Sequence, residues 1–514
     1  LVADTKLDLV VNPVGFLVRA LHAWDPTAGF GQLQNQAQGY LFPVGPVFAL
    51  THAAGLPMWM VQRLWIGVIL TIACAGTVRL ADELEIGTPA TRVAGGLAYA
   101  LSPSLLSLIG PLSALVLPAA MAPWALVPLV RGSRRGSPVR AAARSGVAIA
   151  LMGAVNAGAT LAMLSLPALW LLTRQRGPRR RALVGWWVVS VTLACAWWTV
   201  SLVAEGRFVF DFLRYIEVGR AVTATASATE ALRGTAVWLG HYLFQGRPWW
   251  RGAWLLVAAP AAIVASTALV ATGLAALSHH RMPERRFLAL AVLAGLALTA
   301  AGYAGPLGGP LAPTVHSLLD GPLVVFRSIA KFGPLVALPV ALGLAYGLAI
   351  PRPDGVERVL LAGLVALLFI GLAMPLLQRQ VTPAGSFDRV PAYWSQAAGW
   401  LDTHSGGGRS LLVPASGAGE YSWGRPIDEP LQPLADSPWA VRNQAPLGAT
   451  GLVRVLDAVE ERLVSGRATA GLASFIARAG VRYLVVRNDL DWRRAAAPDP
   501  SHVRATLSAA PGLR

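Results

Sequence analysis

Between residues 57 and 377 the chain reads as successive apolar runs separated by short polar breaks. A helix that crosses a bilayer needs about 20 mostly apolar residues. Runs of that order fall at 57–79, 92–109, 114–130, 145–156, 158–173, 183–204, 253–278, 287–305, 334–350 and 358–377. The runs at 145–156 and 158–173 are short, so they read either as two spans or as a re-entrant hairpin, and both readings leave the parity unchanged. After Gln378 the pattern changes to interspersed charges of both signs. Within Val390–His404, Trp394, Ala397, Ala398 and Leu401 recur at helical spacing. Ser405 to Gly408 break that helix, and Ser410–Val413 is a continuous apolar run of the buried-strand type. Leu452–Val464 predicts a second helix with Leu456, Val459 and Leu463 on one face. Phe475–Ala479 ends a third before Gly480, and Val481–Val486 is another strand. The expected architecture is a polytopic α-helical membrane protein with about ten spans over residues 1–378, followed by a small α/β domain over 379–514.

Composition agrees with the pattern. The 514 residues are 55% hydrophobic and 13% charged with mean hydropathy +0.53, against about 25% charged in soluble domains. The formal charge of +17 raises nucleic acid as a partner, and the placement of the arginines argues against it. They crowd the short breaks: Arg131, Arg134, Arg135, Arg140 and Arg144; Arg174, Arg176, Arg179, Arg180 and Arg181; Arg281, Arg285 and Arg286; Arg352 and Arg358. Short basic loops are cytoplasmic in multi-pass proteins. The longer segments 1–56, 205–252 and 306–333, and everything after 378, then lie on the extracytoplasmic face of the cell membrane. The basic loops read as topology signals resting on anionic headgroups, or as a docking place for an acidic cytoplasmic partner. Cys74 and Cys195 fall inside apolar runs and read as buried thiols. The chain starts at Leu1 and stops at Arg514 without obvious punctuation, so it is expected to be a fragment, with a first span preceding it and more chain following.

The chemistry gathers in the outer segments. Two carboxylates, Asp4 and Asp8, flank Lys6, one of only two lysines in the chain. Gln32, Gln34, Asn35, Gln36 and Tyr40 follow. Amides exchange hydrogen bonds with hydroxyls in both directions and flat rings cover sugar faces, so the segment suits a carbohydrate. A carboxylate at the membrane edge also suits a general base. Its bland reading is a polar interfacial loop. In 306–333, Arg327 and Lys331 stand four apart, which on a helix is one face. With Phe326 and Phe332 as anchors they would meet a lipid-linked phosphate; ordinary snorkelling is the competing reading. No CxxC or HExxH spacing and no compact carboxylate cluster demands a metal, and a divalent cation is left open.

With these segments in view, the chain resembles the membrane part of the actinobacterial α-(1→3)-arabinofuranosyltransferases, glycosyltransferases of the GT-C superfamily. The resemblance rests on Leu1–Leu9 with Asn12-Pro13, on Gly31–Gln36 running to Tyr40–Pro43, on Phe326–Phe332, on Gly419–Arg425 and on Val481–Asp489. It implies a decaprenylphosphoryl-arabinofuranose donor and an arabinan acceptor of the cell envelope, in arabinogalactan or lipoarabinomannan. It also implies inverting transfer, with a catalytic acid residue in the first outer loop, best matched by Asp4 with Asp8 second. Lys6, Arg327 and Lys331 would take the donor phosphate, and Gln32, Gln34, Asn35, Gln36, Tyr40, Glu420 and Trp423 the acceptor or sugar. Competing readings keep the fold with another polyprenyl-phosphate sugar such as mannose, or make the chain a glycan or lipid transporter or a glycan-binding scaffold. A transporter predicts ionisable residues at mid-membrane, whereas these charges stand at the edge.

Overall fold

The computed structural model describes residues 1–4, 6–34, 37–208, 215–244, 246–351, 354–443, 448–467 and 469–513. Asn35, Gln36 and Arg352 lie outside the described residues. The chain forms two compact units: one of residues 1–62, 199–217 and 385–514, the other of 63–198 and 218–384.

The second unit is helical. Among the described residues six helices are long and apolar enough to cross a membrane: Met58–Glu83, Ser113–Arg134, Pro178–Glu205, Pro260–Ser278, Ile329–Gly347 (a 3₁₀ turn leading into the α-helix Pro334–Gly347) and Gly355–Leu372. Pro89–Ala100 and Pro103–Ile109, bent by 48°, make a seventh if counted as one span. Proline at the start of the second member explains the bend, since it cannot continue the preceding hydrogen-bond ladder. The rest of the ten expected runs meet shorter helices. The runs at 145–156 and 158–173 become Pro138–Ala150, Ala157–Met163 and Ser165–Thr173, and that at 287–305 becomes Arg285–Ala300. The run at 253–278 splits at Ala259, where Pro260 opens a new helix.

Burial sorts these helices. The apolar window of Ser113–Arg134 is 83% buried, whereas those of Pro178–Glu205 and Gly355–Leu372 are 17% and 11% buried. The first is a central post. The other two turn apolar surface outward, which water would not tolerate and lipid does. Pro260–Ser278 and Pro334–Gly347 cross in close contact at Gly273, where a Cβ would stand 2.4 Å from the Val340 carbonyl oxygen. Small residues permit such backbone approach in apolar surroundings.

The first unit carries a three-stranded parallel sheet in the order Trp439–Asn443, Arg409–Ser416, Val481–Val486. Ser410 sits opposite both Trp439 and Tyr483. Side chains alternate across a strand, and both faces are covered. Leu411 and Val413 pack with Leu456, Leu463 and Ile476, while Leu412 packs with Trp394, Leu401 and Tyr421. Burial on both sides is why this strand reads as an unbroken apolar run. Helices Ala392–His404, Thr450–Val464, Leu472–Arg478 and Pro500–Ala509 flank the sheet in sequence. The segment 1–56 joins this unit rather than forming a bare loop: it holds helices Pro13–Ala20 and Val44–Ala53. Ala28 bridges Trp439, whose N–H donates to the Thr27 carbonyl at 2.9 Å. The Arg409 guanidinium covers the Phe30 ring at 4.5 Å.

Glu460, on the Thr450–Val464 helix, is 7% exposed, and neither carboxylate oxygen forms a hydrogen bond of good geometry among the described residues. Burial pushes its carboxyl up to about 7, against a partial offset from the Ala415 backbone, Arg487 and Arg442. A folded-state value above the unfolded one of 4.5 means the native protein holds the extra proton, so stability is fullest below the unfolded value and is lost as pH rises towards 7. Glu460→Gln is therefore expected to stabilise the unit by about 1–3 kcal/mol at pH 8 and to change little at pH 5. Thermal unfolding at the two pH values checks this; an equal shift at both would exclude titration of Glu460 as the cause.

Candidate active site

The N-terminal residues are held from several directions within the first unit. The Gln62 side chain brackets Val2, accepting from its N–H at 3.1 Å and donating to its carbonyl at 2.9 Å. The Phe387 N–H donates to the Leu1 carbonyl at 3.0 Å. Asp4 follows in a tight turn, its N–H donating to the Val2 carbonyl at 3.1 Å, and is 9% exposed. Lys6 pairs with Asp428 at 3.6 Å, and the second Asp428 oxygen accepts from the Leu7 N–H at 2.9 Å. Asp8 opens a one-turn helix, Asp8–Val11. Asn12 then caps Pro13–Ala20 by accepting from Gly15 N–H at 3.0 Å. That second helix brings Arg19 back onto Asp8, where guanidinium and carboxylate form an ion pair. Gln432 donates to the other Asp8 oxygen at 2.6 Å. Tyr40 lies beneath, packed edge-on against Phe16 at 5.4 Å and hydrogen-bonded to the Lys6 backbone.

The result is three carboxylates interleaved with two cations. Asp428 holds the Lys6 ammonium above its ordinary range, against the opposing effect of burial. Burial, reinforced by Asp428, pushes Asp8 up, while Arg19 and Gln432 pull it back. Burial first, then the charges of Asp428 and Asp4, raises the Tyr40 hydroxyl well above its usual value. Asp8 therefore titrates in the field of Asp428. The residue before Asp428 is also under strain: Ile427 has φ +68°, a conformation a β-branched side chain rarely adopts.

The other residues singled out in the sequence fall in different places. Asp8 is 1% exposed with both oxygens engaged, so it serves as a strut as built. Gln34 donates to the Arg19 and His22 carbonyls at 2.6 and 2.9 Å, and Gln32 lies in the hairpin pairing Trp24–Asp25 with Gln32–Leu33. Asn35 and Gln36 are outside the described residues. Glu420 pairs with Arg425 at 2.8 Å. Trp423 stacks on Tyr421 and donates to Asp489 at 2.9 Å. Both are thus committed to internal packing.

Arg327 and Lys331 belong to the second unit and do not share one α-helical face. They fall on separate 3₁₀ turns, Val324–Phe326 with its cap and Ile329–Phe332. Lys331 Nζ turns back to donate to the Val325 carbonyl at 2.6 Å, and the next helix starts directly at Pro334, so no α-helix can run through. Arg327 donates to the Leu319 carbonyl at 3.2 Å and pairs with Asp320 at 3.3 Å. Phe326 and Phe332 pack on each other at 5.5 Å instead of anchoring separately.

Four residues around the N-terminal cluster escaped the sequence reading: Arg19, Gln62, Asp428 and Gln432. Arg19 was findable, as the only arginine before Arg63 and hence the one guanidinium available to two nearby acids. For Asp428 and Gln432, some 420 residues away, no periodicity carries the signal.

Apolar helices that turn lipid-compatible surface outward, and a buried carboxylate–ammonium cluster on a separate helix-and-sheet unit, define a multi-pass membrane protein with a polar site. Residues 1–514 match throughout the family described as alpha-(1->3)-arabinofuranosyltransferase, N-terminal GT-C domain, and the chain belongs to that family. It is 40% identical over 529 aligned residues to the alpha-(1->3)-arabinofuranosyltransferase of Mycolicibacterium smegmatis, covering 99% of this chain and 37% of that protein. It is 39% identical to the protein of the same name from Mycobacterium tuberculosis, covering 99% and 38%. A cryo-EM structure of the arabinofuranosyltransferase AftD from Mycobacteria superposes with TM-score 0.83 at 36% identity, over 100% of this chain and 35% of that one. The chain thus spans little more than a third of the length of these curated relatives.

Proposed function

We propose that this chain is the catalytic membrane part of an enzyme that moves an arabinofuranosyl residue from decaprenylphosphoryl-arabinofuranose to an arabinan acceptor of the cell envelope, with inversion. The acceptor hydroxyl gives its proton to Asp4 and attacks the anomeric carbon. The bond to the phosphate oxygen breaks, and polyprenyl phosphate departs. A phosphate leaving group needs no general acid, so one carboxylate suffices. Lys6 meets the charge that develops on the phosphate, while Gln32, Tyr40 and the neighbouring amides contact the sugars. The observation that counts against Asp8 as the base is that its two oxygens are taken by Arg19 and Gln432.

The same reading puts segments 1–56, 205–252 and 306–333, and the domain after residue 378, on the extracytoplasmic side. The arginine-rich helix ends then face the cytoplasm, and the shorter apolar helices complete about ten crossings. The test is reconstitution of the full-length protein in liposomes with decaprenylphosphoryl-arabinofuranose and a synthetic arabinan oligosaccharide. Linkage analysis of the product is expected to give α-(1→3). Wild-type protein that leaves this donor untouched but consumes polyprenyl-phosphate-mannose would overturn the sugar assignment.

A further inference from the structure

Four helix ends of the second unit converge on a cavity of about 660 Å³. They are the C-termini of Ser113–Arg134 and Ser165–Thr173 and the N-termini of Pro178–Glu205 and Arg285–Ala300. Its lining holds seven arginines against one glutamate. Part of that charge is employed in the fold. Glu284 takes Arg174 through both its oxygens, at 3.0 and 2.6 Å, and Arg134 at 3.4 Å. Arg179 donates to the Gly132 carbonyl at 2.9 Å and Arg180 to the Leu171 carbonyl at 2.8 Å, so both satisfy helix C-termini. Arg176, Arg285 and Arg286 are left: exposed, and without an ion pair or side-chain hydrogen bond among the described residues. The positive ends of two helices, 28 and 16 residues long, add to them.

Topology alone requires positive charge near a span's end; it does not require guanidiniums to converge on a cavity of ligand size. Two of the converging helices, Ser113–Arg134 and Pro178–Glu205, are long and apolar enough to cross the bilayer, which sets the cavity at headgroup depth. Exposed apolar side chains stand on the converging elements. Leu172 lies between two lining residues in sequence and is 66% exposed, and Trp186, Val189 and Leu193 form an exposed stripe at helical spacing along Pro178–Glu205. We propose that this cavity is a binding site for the headgroup of an anionic phospholipid carrying two phosphates. Arg176, Arg285 and Arg286 would grip the phosphates, Glu284 would set the flanking guanidiniums, and the acyl chains would lie along the exposed stripe. A fork of guanidinium donors matches phosphate oxygens bidentately, and basic pockets between spans suit such headgroups.

Native mass spectrometry of the full-length protein in mild detergent tests this, with cardiolipin, phosphatidylcholine or inorganic pyrophosphate as the added probe. Wild-type protein is expected to retain cardiolipin at least about tenfold better than phosphatidylcholine, and to lose about tenfold in retention on Arg176→Gln, Arg285→Gln and Arg286→Gln together. The corresponding triple lysine variant keeps the topology-setting charge and is expected to fall by about threefold or more, because it loses the fork. Arg358→Gln, on a different helix, is expected to behave as wild type. Retention unchanged in the glutamine variant overturns the site. Pyrophosphate binding without cardiolipin retention assigns it to a soluble phosphate compound instead, and an acidic protein held in place of lipid overturns it equally.

Discussion

Asp4→Asn in the full-length protein is expected to lower kcat for arabinofuranosyl transfer by about 10²–10⁴-fold, the usual worth of a general base, with little change in the KM for the donor. The amide keeps the size of the carboxylate, and the Val2 backbone and Gln62 help to hold the turn that places it. Loss of activity with an unchanged thermal transition would therefore report chemistry. Asp8→Asn makes the informative contrast. It removes the partner of Arg19 and disturbs the Gln432 contact, so its main effect is expected on stability, with kcat down by less than about tenfold. Single-turnover rates and unfolding transitions measured on both variants separate the two roles. If Asp8→Asn is inert with an intact fold while Asp4→Asn turns over normally, the base is Asp8 and the ion pair with Arg19 must open during the reaction.

The elements around the parallel sheet were legible. The strand at Val481–Val486 falls where its apolar run predicts it, and Ala392–His404 and Thr450–Val464 lie within two residues of the expected helices. Periodicity suffices there because each element buries one face or both against neighbours of its own unit. Span counting was less secure, since hydropathy cannot see a break. Ala259-Pro260, and the Leu151–Asn156 stretch that separates two helices, interrupt runs that remain apolar throughout. The site was half legible. Asp4, Lys6 and Asp8 declared themselves as charges beside an apolar chain, but the partners of Lys6 and Asp8, Asp428 and Gln432, arrive from the far end of the sequence. The Arg327–Lys331 spacing misled for a related reason: a four-residue interval implies a shared face only if the backbone is α-helical, and Lys331 instead folds back on Val325.

The largest stability effect is expected at Glu429 and Arg487, whose side chains are both fully buried and pair at 2.7 Å. Arg487 also donates to Ser416 Oγ at 3.1 Å and to the Pro414 carbonyl, and Tyr421 donates to Glu429. Two desolvated charges gain little net energy from each other, yet either one left alone is costly. Glu429→Ala is therefore expected to destabilise the first unit by about 3–5 kcal/mol, whereas Glu429→Leu with Arg487→Met is expected to recover most of that loss. Hydrogen exchange in the full chain, followed over Arg409–Ser416 and Val481–Val486, reads both effects, because Arg487 follows one strand and meets the end of the other. Equal protection in wild type and Glu429→Ala would show that the pair carries no such strain of desolvation. The consequence reaches the candidate site through one peptide bond. Glu429 directly follows Asp428, the carboxylate that holds Lys6 and the Leu7 N–H. Loosening Glu429 is expected to free the strained turn at Ile427, release Lys6 and lower transfer activity in a variant that never touches substrate. Full activity in the double variant, with its apolar packing restored, would separate this positioning role from any direct one.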